Sequence, residues 1–196
     1  MATKVKIAVQ MKGKDIPGWP CINYDYDKEL ARVMAPIIAR NPDIDFDIFK
    51  YTSLDMAKAD YEEDLKKYDG VLVLLMTNWL KIDEFYINQS KEGLPTIVAD
   101  VPYCGSGSML EKTSPLVRSG GFPVPMVSSF NYNDIAEAAA LFGVIKKMKE
   151  AKILVVKNDV QEKAQKAATA IWGCEFIENP IPSRMVPAAA TDTNKV

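Results

Sequence analysis

Gly70-Val-Leu-Val-Leu-Leu-Met76 is the stretch of this sequence that decides the fold. An apolar run of this kind, without a charge, is typical of a strand that is covered on both faces. Such strands lie at the centre of parallel sheets, and parallel neighbours are joined by helical crossovers. The run therefore predicts an α/β protein that is built on a parallel sheet.

The segments on both sides of this run repeat one unit of strand, loop and helix. Strands are predicted at Lys4–Gln10 and Asp45–Tyr51 before it, and at Thr96–Val101 and Pro123–Val127 after it. The alternating pattern of Asp45–Tyr51 favours an edge strand. Together these are five strand–helix units, the number found in a flavodoxin-like, doubly wound, three-layer α/β/α fold.

The segments between the predicted strands are predicted to form helices. Asp25 or Asp27 can cap the first helix, and Pro36 should bend or shorten it. The predicted apolar face of this helix consists of Leu30, Val33, Met34, Ile37 and Ile38. The other predicted helices run from Ser53 or Asp55 to Lys67, over Leu80–Ser90, over Ser108–Arg118 and, capped by Asn133 or Asp134, over Ile135–Lys149.

A sixth strand, Lys152–Val156, begins a further βαβ unit with a helix at Val160–Ile171 and a strand at Cys174–Ile177. This remainder is too small to bury a core of its own. It is expected to dock on the first sheet or to open a second α/β domain of a longer protein. The predicted organisation is a flavodoxin-like domain at 1–150, the start of a second α/β domain or a docked extension at 151–178, and a flexible tail at 179–196.

Composition and charge narrow the class of protein. A net charge of -2 gives no electrostatic case for nucleic acid or for an acidic membrane. Cys21, Cys104 and Cys174 are odd in number and far apart, so they indicate no disulfide framework. The sequence shows neither a signal-peptide pattern nor an apolar run of about 20 residues. A cytoplasmic protein that does not enter a membrane is expected.

The chain contains no histidine, which removes the commonest general base and the commonest metal ligand. Acidic residues cluster at Asp60–Asp64 and at Asp83-Glu84, where the pattern predicts solvent-facing helix surfaces. The sequence therefore predicts no catalytic residue, no metal ligand and no cofactor in this chain.

Polar and aromatic residues follow four of the predicted strands. In an open parallel sheet, ligands bind beyond the carboxyl ends of the strands. Amides, hydroxyls and aromatic rings at that edge suit a polyhydroxylated small molecule, although they are also ordinary turn formers and helix caps. The candidate substrate-binding residues are Gln10, Lys12, Trp19, Thr77, Asn78, Trp79, Asp100, Tyr103, Ser128, Ser129, Asn131 and Tyr132.

The segment Pro102-Tyr-Cys-Gly-Ser106 has the strand–turn–helix context of a nucleophile elbow. Cysteine catalysis of that kind needs a base, usually histidine, so an ordinary cysteine at position 104 is expected. The glycine-rich turn Gly105-Ser-Gly-Ser108 has two interpretations. Its backbone N–H groups could hold an anion, or the turn could simply begin a helix.

Five segments follow one another in a familiar order: Asp69-Gly-Val-Leu-Val-Leu-Leu-Met76, Gly93-Leu-Pro-Thr-Ile-Val98, Pro102-Tyr-Cys-Gly-Ser-Gly107, Val124-Pro-Met-Val-Ser-Ser-Phe-Asn-Tyr-Asn-Asp134 and Lys152-Ile-Leu-Val-Val156. Together they resemble the L-fucose/L-arabinose isomerase superfamily. The resemblance extends over residues 4–178 and implies a flavodoxin-like first domain and the opening of a second. It also implies an aldose–ketose isomerase that uses a divalent metal, typically manganese, and a homo-oligomer in which neighbouring subunits share the sugar site.

The chain also departs from that family. The resemblance implies that the metal-binding and proton-transfer residues belong to later domains, and Tyr132 stands where arabinose isomerases often carry a histidine. The chain is thus expected to be a sugar-binding, non-catalytic part of an isomerase-like protein. The alternatives are a stand-alone sugar-binding or sensor module and, third, an amidotransferase-like enzyme that uses Cys104.

Overall fold

The computed structural model describes residues 2–155 and 162–178. The chain divides into two compact units, Met1–Gly143 and Val144–Val196, which are described one after the other. The predicted tail at 179–196 lies outside the described residues.

The first unit is built on a five-stranded parallel sheet. Its strand order is β2-β1-β3-β4-β5, so the chain reverses direction across the sheet between β1 and β3. This is the order of flavodoxin-like folds. The three-layer α/β/α prediction is therefore confirmed. The strands are β1 (Thr3–Gln10), β2 (Ile44–Tyr51), β3 (Gly70–Leu75), β4 (Thr96–Asp100) and β5 (Met126–Ser128).

Strand β5 is shorter than predicted and begins later. The prediction placed it at Pro123–Val127, but Pro123 and Pro125 have no N–H to donate to a neighbouring strand. The Pro125 carbonyl still accepts a hydrogen bond from Val98 N, so pairing with β4 begins at this proline and continues through β5.

Helices connect the strands and cover both faces of the sheet. Asp25 caps α1 by accepting a hydrogen bond from Lys28 N, and Ser53 caps α2 by accepting from Met56 N. The helical elements of this unit are α1 (Tyr26–Arg40), α2 (Leu54–Lys67), α3 (Ile82–Gln89), α4 (Ser106–Ser108), a π-helical turn (Met109–Thr113), α5 (Ser114–Gly120) and α6 (Tyr132–Glu150), the last of which continues into the second unit.

The sequence predicts that Pro36 bends or shortens α1. It lies inside the helix, which continues to Arg40, so α1 is not shortened. Other details of the helix predictions are wrong. Ile38 is exposed rather than part of the buried face. Helix α6 begins at Tyr132, one or two residues before the predicted caps, Asn133 and Asp134.

The core consists of two apolar layers, one on each side of the sheet. Side chains from β1 and β3 alternate between the layers, as the period of a strand requires. One layer, with α1 and α6, contains Val5, Ile7, Val9, Val33, Ile37, Leu72, Leu74, Ile135 and Phe142. The other, with α2, α3 and α5, contains Ala8, Ala57, Tyr61, Val71, Val73, Leu75, Tyr86 and Val117.

A buried ion pair interrupts the second layer. Lys6 Nζ on β1 donates to both carboxylate oxygens of Asp64 on α2, at 2.7 and 2.6 Å. The ammonium group also lies over the rings of Phe49 (4.3 Å to the centroid) and Tyr51 (5.1 Å). The Tyr68 ring is the third, with its centroid 5.9 Å from the ammonium nitrogen. We call Lys6, Asp64 and these three aromatic residues the Lys6 centre.

The sequence analysis predicted that Asp64 and Asp83 face solvent. That prediction is wrong, because both side chains are buried. Burial raises the pKa of Asp64, and the bonds from Lys6 lower it by a smaller amount. Asp83 is buried at the start of α3, where Thr113 Oγ1 donates to its carboxylate at 2.5 Å. Burial raises the pKa of Asp83 as well. The π-helical turn ends at Thr113, so it helps place this hydroxyl.

The second unit contains a βαβ unit, as predicted. Strands β6 (Lys152–Val155) and β7 (Glu175–Glu178) pair in parallel, with α7 (Glu162–Trp172) between them. The predicted last residue of the sixth strand, Val156, and the predicted first residues of the helix, 160–161, lie outside the described residues. Within the part of the chain that the structure describes, no helix has the length and apolar character needed to cross a membrane.

Candidate functional site

A cavity of about 430 Å³ opens in the first unit at the carboxyl edge of the sheet. Its walls come from the loops after β1, β4 and β5 and from the first half of α1. This is the edge at which open parallel sheets bind ligands. The lining residues include Trp19, Cys21, Pro102–Cys104 and Phe130, together with residues of α1.

Three large aromatic side chains of this pocket are exposed. The exposed fraction is 51% for Trp19, 69% for Tyr103 and 75% for Phe130. The rings of Tyr103 and Phe130 contact each other, with 5.5 Å between their centroids. Grouped exposed aromatic rings are uncommon on a protein surface and mark binding sites. We call these three residues the aromatic rim.

A polar network lies inside the rim. Glu29 Oε2 accepts a hydrogen bond from Arg32 at 2.7 Å, and Glu29 Oε1 accepts one from the Tyr132 hydroxyl at 2.5 Å. The Arg32 guanidinium lies 5.7 Å from the centroid of the Tyr132 ring. Glu29 and Arg32 are three residues apart on α1 and so share one face of the helix. Burial and the Glu29 carboxylate raise the pKa of Tyr132, which keeps its hydroxyl protonated.

The Cys104 thiol is buried in the pocket wall. It donates a hydrogen bond to the Tyr24 hydroxyl, with 3.2 Å between sulfur and oxygen. Burial raises the pKa of Cys104, and the charges of Glu29 and Asp100 raise it further. A thiolate is the nucleophilic form, so these surroundings oppose nucleophilic chemistry at this position. The predicted ordinary cysteine fits this geometry.

Two aromatic residues at this edge have a strained backbone. Trp79, after β3, has a φ of 59°, and Tyr103, after β4, has a φ of 67°. Bulky side chains rarely adopt this left-handed region, at a cost of about 1–3 kcal/mol for each residue. Hydrogen bonds from Trp79 N to Ser108 Oγ (2.8 Å) and from Tyr103 N to Ser106 Oγ (3.3 Å) hold both loops.

The glycine-rich turn packs the loop after β4 against β3. A Cβ atom at Gly105 would lie 2.3 Å from the Leu75 carbonyl oxygen, and one at Gly107 would lie 3.0 Å from the Asn78 side chain. Two of the four N–H groups of this turn are engaged, because Gly105 N donates to Val101 O and Ser108 N to Asn78 Oδ1. The close approach of two loops explains these glycines without a bound anion.

Four of the predicted site residues support the loops from inside. The buried amide of Gln10 donates to Thr77 O at 2.9 Å and accepts from Ile82 N at 3.1 Å. Lys12 Nζ donates to the carbonyls of Ile16 and Gly18 at 2.6 and 3.0 Å. Thr77 Oγ1 donates to Trp19 O at 2.8 Å. With Asn78, these residues hold the loops at the carboxyl edge of the sheet in place.

Four further predicted residues lie at or just after the ends of the last two strands of the sheet. Ser129 and Asn131 donate to the Asp134 carboxylate at 2.6 and 2.9 Å, which closes the turn before α6. Ser128 ends β5 beside Asp100 of β4. Asp100 is fully buried, and neither of its carboxylate oxygens has a hydrogen-bond partner within the described part of the chain.

The structure thus places three of the twelve predicted residues in the pocket wall: Trp19, Tyr103 and Tyr132. Trp79 lies on a neighbouring loop. Glu29 and Arg32 were not predicted, because they lie on α1 and not on a loop that directly follows a strand. The sequence did contain a signal for this pair. Glu29 and Arg32 are three residues apart in the first turns of α1, which begins next to the carboxyl edge of the sheet. Tyr24 and Phe130 were missed as well.

Comparisons with family models, with curated proteins and with solved structures find no match for this chain. Within 2–155 and 162–178, no group of three or more carboxylate, thiol or imidazole side chains is arranged to hold a metal ion. The pocket itself is therefore what points to a function.

Proposed function

We propose that this chain is the amino-terminal part of a fucose/arabinose-isomerase-like protein of carbohydrate metabolism and that its pocket binds a sugar. The observation that supports this proposal is the combination of an exposed aromatic rim with the Glu29–Arg32–Tyr132 network inside it. A sugar has an apolar C–H face and a ring of hydroxyl groups. The rim suits the first, and the network suits the second.

The charge of the pocket favours a neutral ligand. Glu29 and Arg32 carry opposite charges that are 2.7 Å apart, so they compensate each other. They still offer an acceptor and a donor side by side, which is the arrangement that adjacent hydroxyls of a sugar can pair with. The half-buried Tyr132 fixes the position of this pair by bonding to Glu29.

The proposed role is binding and not catalysis. Isomerisation of an aldose moves a proton, and the side chains of this pocket are poorly suited to that step. Cys104 is held in its protonated form, and the Glu29 carboxylate is paired with Arg32. In this proposal, the manganese ion and the proton-transfer groups come from a region outside this chain. The whole protein would be a homo-oligomer, as the resemblance implies, and we propose that it is cytoplasmic.

Titration calorimetry of the purified chain with L-fucose, L-arabinose and D-galactose tests the binding proposal. We expect at least one sugar to bind, and Phe130→Ala to weaken its affinity roughly tenfold through loss of a stacking ring. Ile38→Ala is the matched control, since Ile38 is an exposed apolar residue of α1 outside the pocket. Absence of binding to all three sugars would contradict the proposal.

A second assay tests the absence of catalysis. The chain is incubated with the same aldoses and manganese, and ketose formation is followed. We expect none. Turnover by the pure chain would show that the residues of this pocket do complete an active site.

A stand-alone binding or sensor module is the second candidate. One observation favours it: all residues that line the pocket belong to the first unit. A module that works by itself should bind its sugar with micromolar affinity in the absence of other polypeptides. Millimolar affinity would instead favour a site that further domains complete.

A further inference from the structure

Two thiols line the pocket. Cys21 lies on the loop after β1 and is exposed, whereas Cys104 lies on the loop after β4 and is buried in the pocket wall. The remaining cysteine, Cys174, belongs to the second unit and does not line this cavity. The fold therefore brings two thiols that are far apart in the sequence to one cavity.

The loop that carries Cys21 contacts Cys104 directly. The Cys104 thiol donates its hydrogen bond to the hydroxyl of Tyr24, three residues after Cys21, with 3.2 Å between sulfur and oxygen. The charge of Cys21 contributes to the raised pKa of Cys104, and both thiols contribute to the raised pKa of Tyr26. The two thiols thus lie within electrostatic range of each other.

Hydrogen bonds hold the segment around Cys21 at the pocket. Thr77 Oγ1 donates to the carbonyl of Trp19, two residues before Cys21, at 2.8 Å. Asn23 N, two residues after Cys21, donates to the carbonyl of Lys14 at 3.1 Å. The exposed thiol is therefore kept at the cavity that the buried thiol also lines, and a small oxidant can reach it from solvent.

We propose that Cys21 and Cys104 form a reversible disulfide across the pocket and that this bond excludes the sugar. The inference rests on the proposed function, because it assigns a regulation to the same site. A disulfide holds two Cα atoms about 4.4–6.8 Å apart, so the loops after β1 and β4 approach each other and leave less room beside the Glu29–Arg32 pair. Disulfides of this kind in a reducing compartment are transient and redox-sensing.

A small disulfide such as glutathione disulfide supplies the oxidant. The Cys21 thiolate attacks one of its sulfur atoms, the S–S bond breaks, and the leaving thiolate takes up the proton that Cys21 has lost. The Cys104 thiolate then attacks the Cys21 sulfur of this mixed disulfide, and the second glutathione leaves with the proton from Cys104. Two protein thiols are oxidised to one disulfide, and one glutathione disulfide is reduced to two thiols.

Peptide mapping without reductant, combined with calorimetry, tests the bond. The full chain is incubated with glutathione disulfide, and its affinity for the three sugars named above is measured before and after. We expect a Cys21–Cys104 cross-link, a loss of sugar affinity of at least about tenfold, and recovery with dithiothreitol. Cys21→Ser should form no cross-link and keep its affinity in the oxidant. Cys174→Ser is the matched control and should behave like the unchanged chain.

The outcomes separate this inference from the proposed function. If Cys104 stays a free thiol while glutathione remains attached to Cys21, or if Cys21 pairs with Cys21 of another chain, the inference is overturned. A Cys21–Cys104 cross-link that leaves the sugar affinity unchanged overturns it as well, and in each of these cases the proposed function stands. If the reduced chain binds none of the sugars, the proposed function fails and the regulation fails with it, whether or not the cross-link forms.

Discussion

The Lys6 centre and the pocket are made of the same chemical groups and differ in their access to water. Each joins a cation, a carboxylate and aromatic rings. The Lys6 side chain is completely buried against Asp64, whereas the Arg32 side chain is 65% exposed beside Glu29. The rings over Lys6 belong largely to the core, and the rings of the rim lie in solvent.

This difference separates a structural role from the proposed binding role. In the Lys6 centre, the partners of each polar group are other parts of the protein, so the group contributes to stability and offers nothing to a ligand. In the pocket, Arg32 and the rim keep donors and apolar surface accessible. Selective changes in each region should therefore affect different measurements.

Lys6→Met should produce the largest effect on stability. It leaves the Asp64 carboxylate buried without its partner, and removal of one member of a buried pair costs about 3–5 kcal/mol. Urea denaturation measures the change in the free energy of unfolding. The double variant Lys6→Met/Asp64→Leu is the control and should recover most of the loss. A loss below about 1 kcal/mol in the single variant would show that the pair is not truly buried.

Arg32→Met should change the sugar affinity strongly and the free energy of unfolding only slightly. Because Arg32 is exposed, its pair with Glu29 contributes less than about 1 kcal/mol to the free energy of unfolding. Sugar affinity should nevertheless fall roughly tenfold, the equivalent of one lost charge-assisted hydrogen bond. The two quantities are measured by urea denaturation and calorimetry. A large loss of stability with unchanged affinity would show that Arg32 stabilises the fold and does not bind the sugar.

The cysteines of the pocket should react at different rates. The raised pKa of Cys104 leaves less thiolate at pH 7 than an ordinary thiol would have, and the side chain is buried. Cys21 is exposed, so iodoacetamide should label Cys21 first. Peptide mapping by mass spectrometry after short exposures gives the order. Rapid labelling of Cys104 would revive the amidotransferase-like alternative.

Asp47→Asn should give the smallest effect, at the edge of the Lys6 centre. Hydrogen bonds from Tyr68 and Lys67 lower the pKa of Asp47, so its charge stabilises the folded protein above the unfolded pKa. Because Asp47 is half exposed, the loss at pH 7 should stay below about 1 kcal/mol. The loss should disappear as the pH falls through the folded pKa. Urea denaturation at pH 7 and at about pH 3 checks this, and a loss that is independent of pH would contradict the assignment.

The strands could be predicted because their signals are local. The apolar run of β3 and the alternation of β2 depend on neighbouring residues alone, and the structure confirms both elements. The burial of Asp64 could not be predicted in this way, because its partner Lys6 is 58 positions away. The same holds for Glu29, which meets Tyr132 across 103 positions. The sequence therefore predicts most helices and strands, but it does not predict which distant residues pair with each other.

Lys6 also has a consequence for how the chain folds. Side chains alternate along a strand, so a shift of β1 by one residue against its neighbours would turn Lys6 toward the opposite layer. That layer is formed by apolar residues around Val33 and Leu72, and an ammonium group there would lack its carboxylate. A charge buried without a partner costs several kcal/mol. The ion pair therefore discriminates against misaligned chains during folding, which is a role separate from its contribution to the stability of the finished fold.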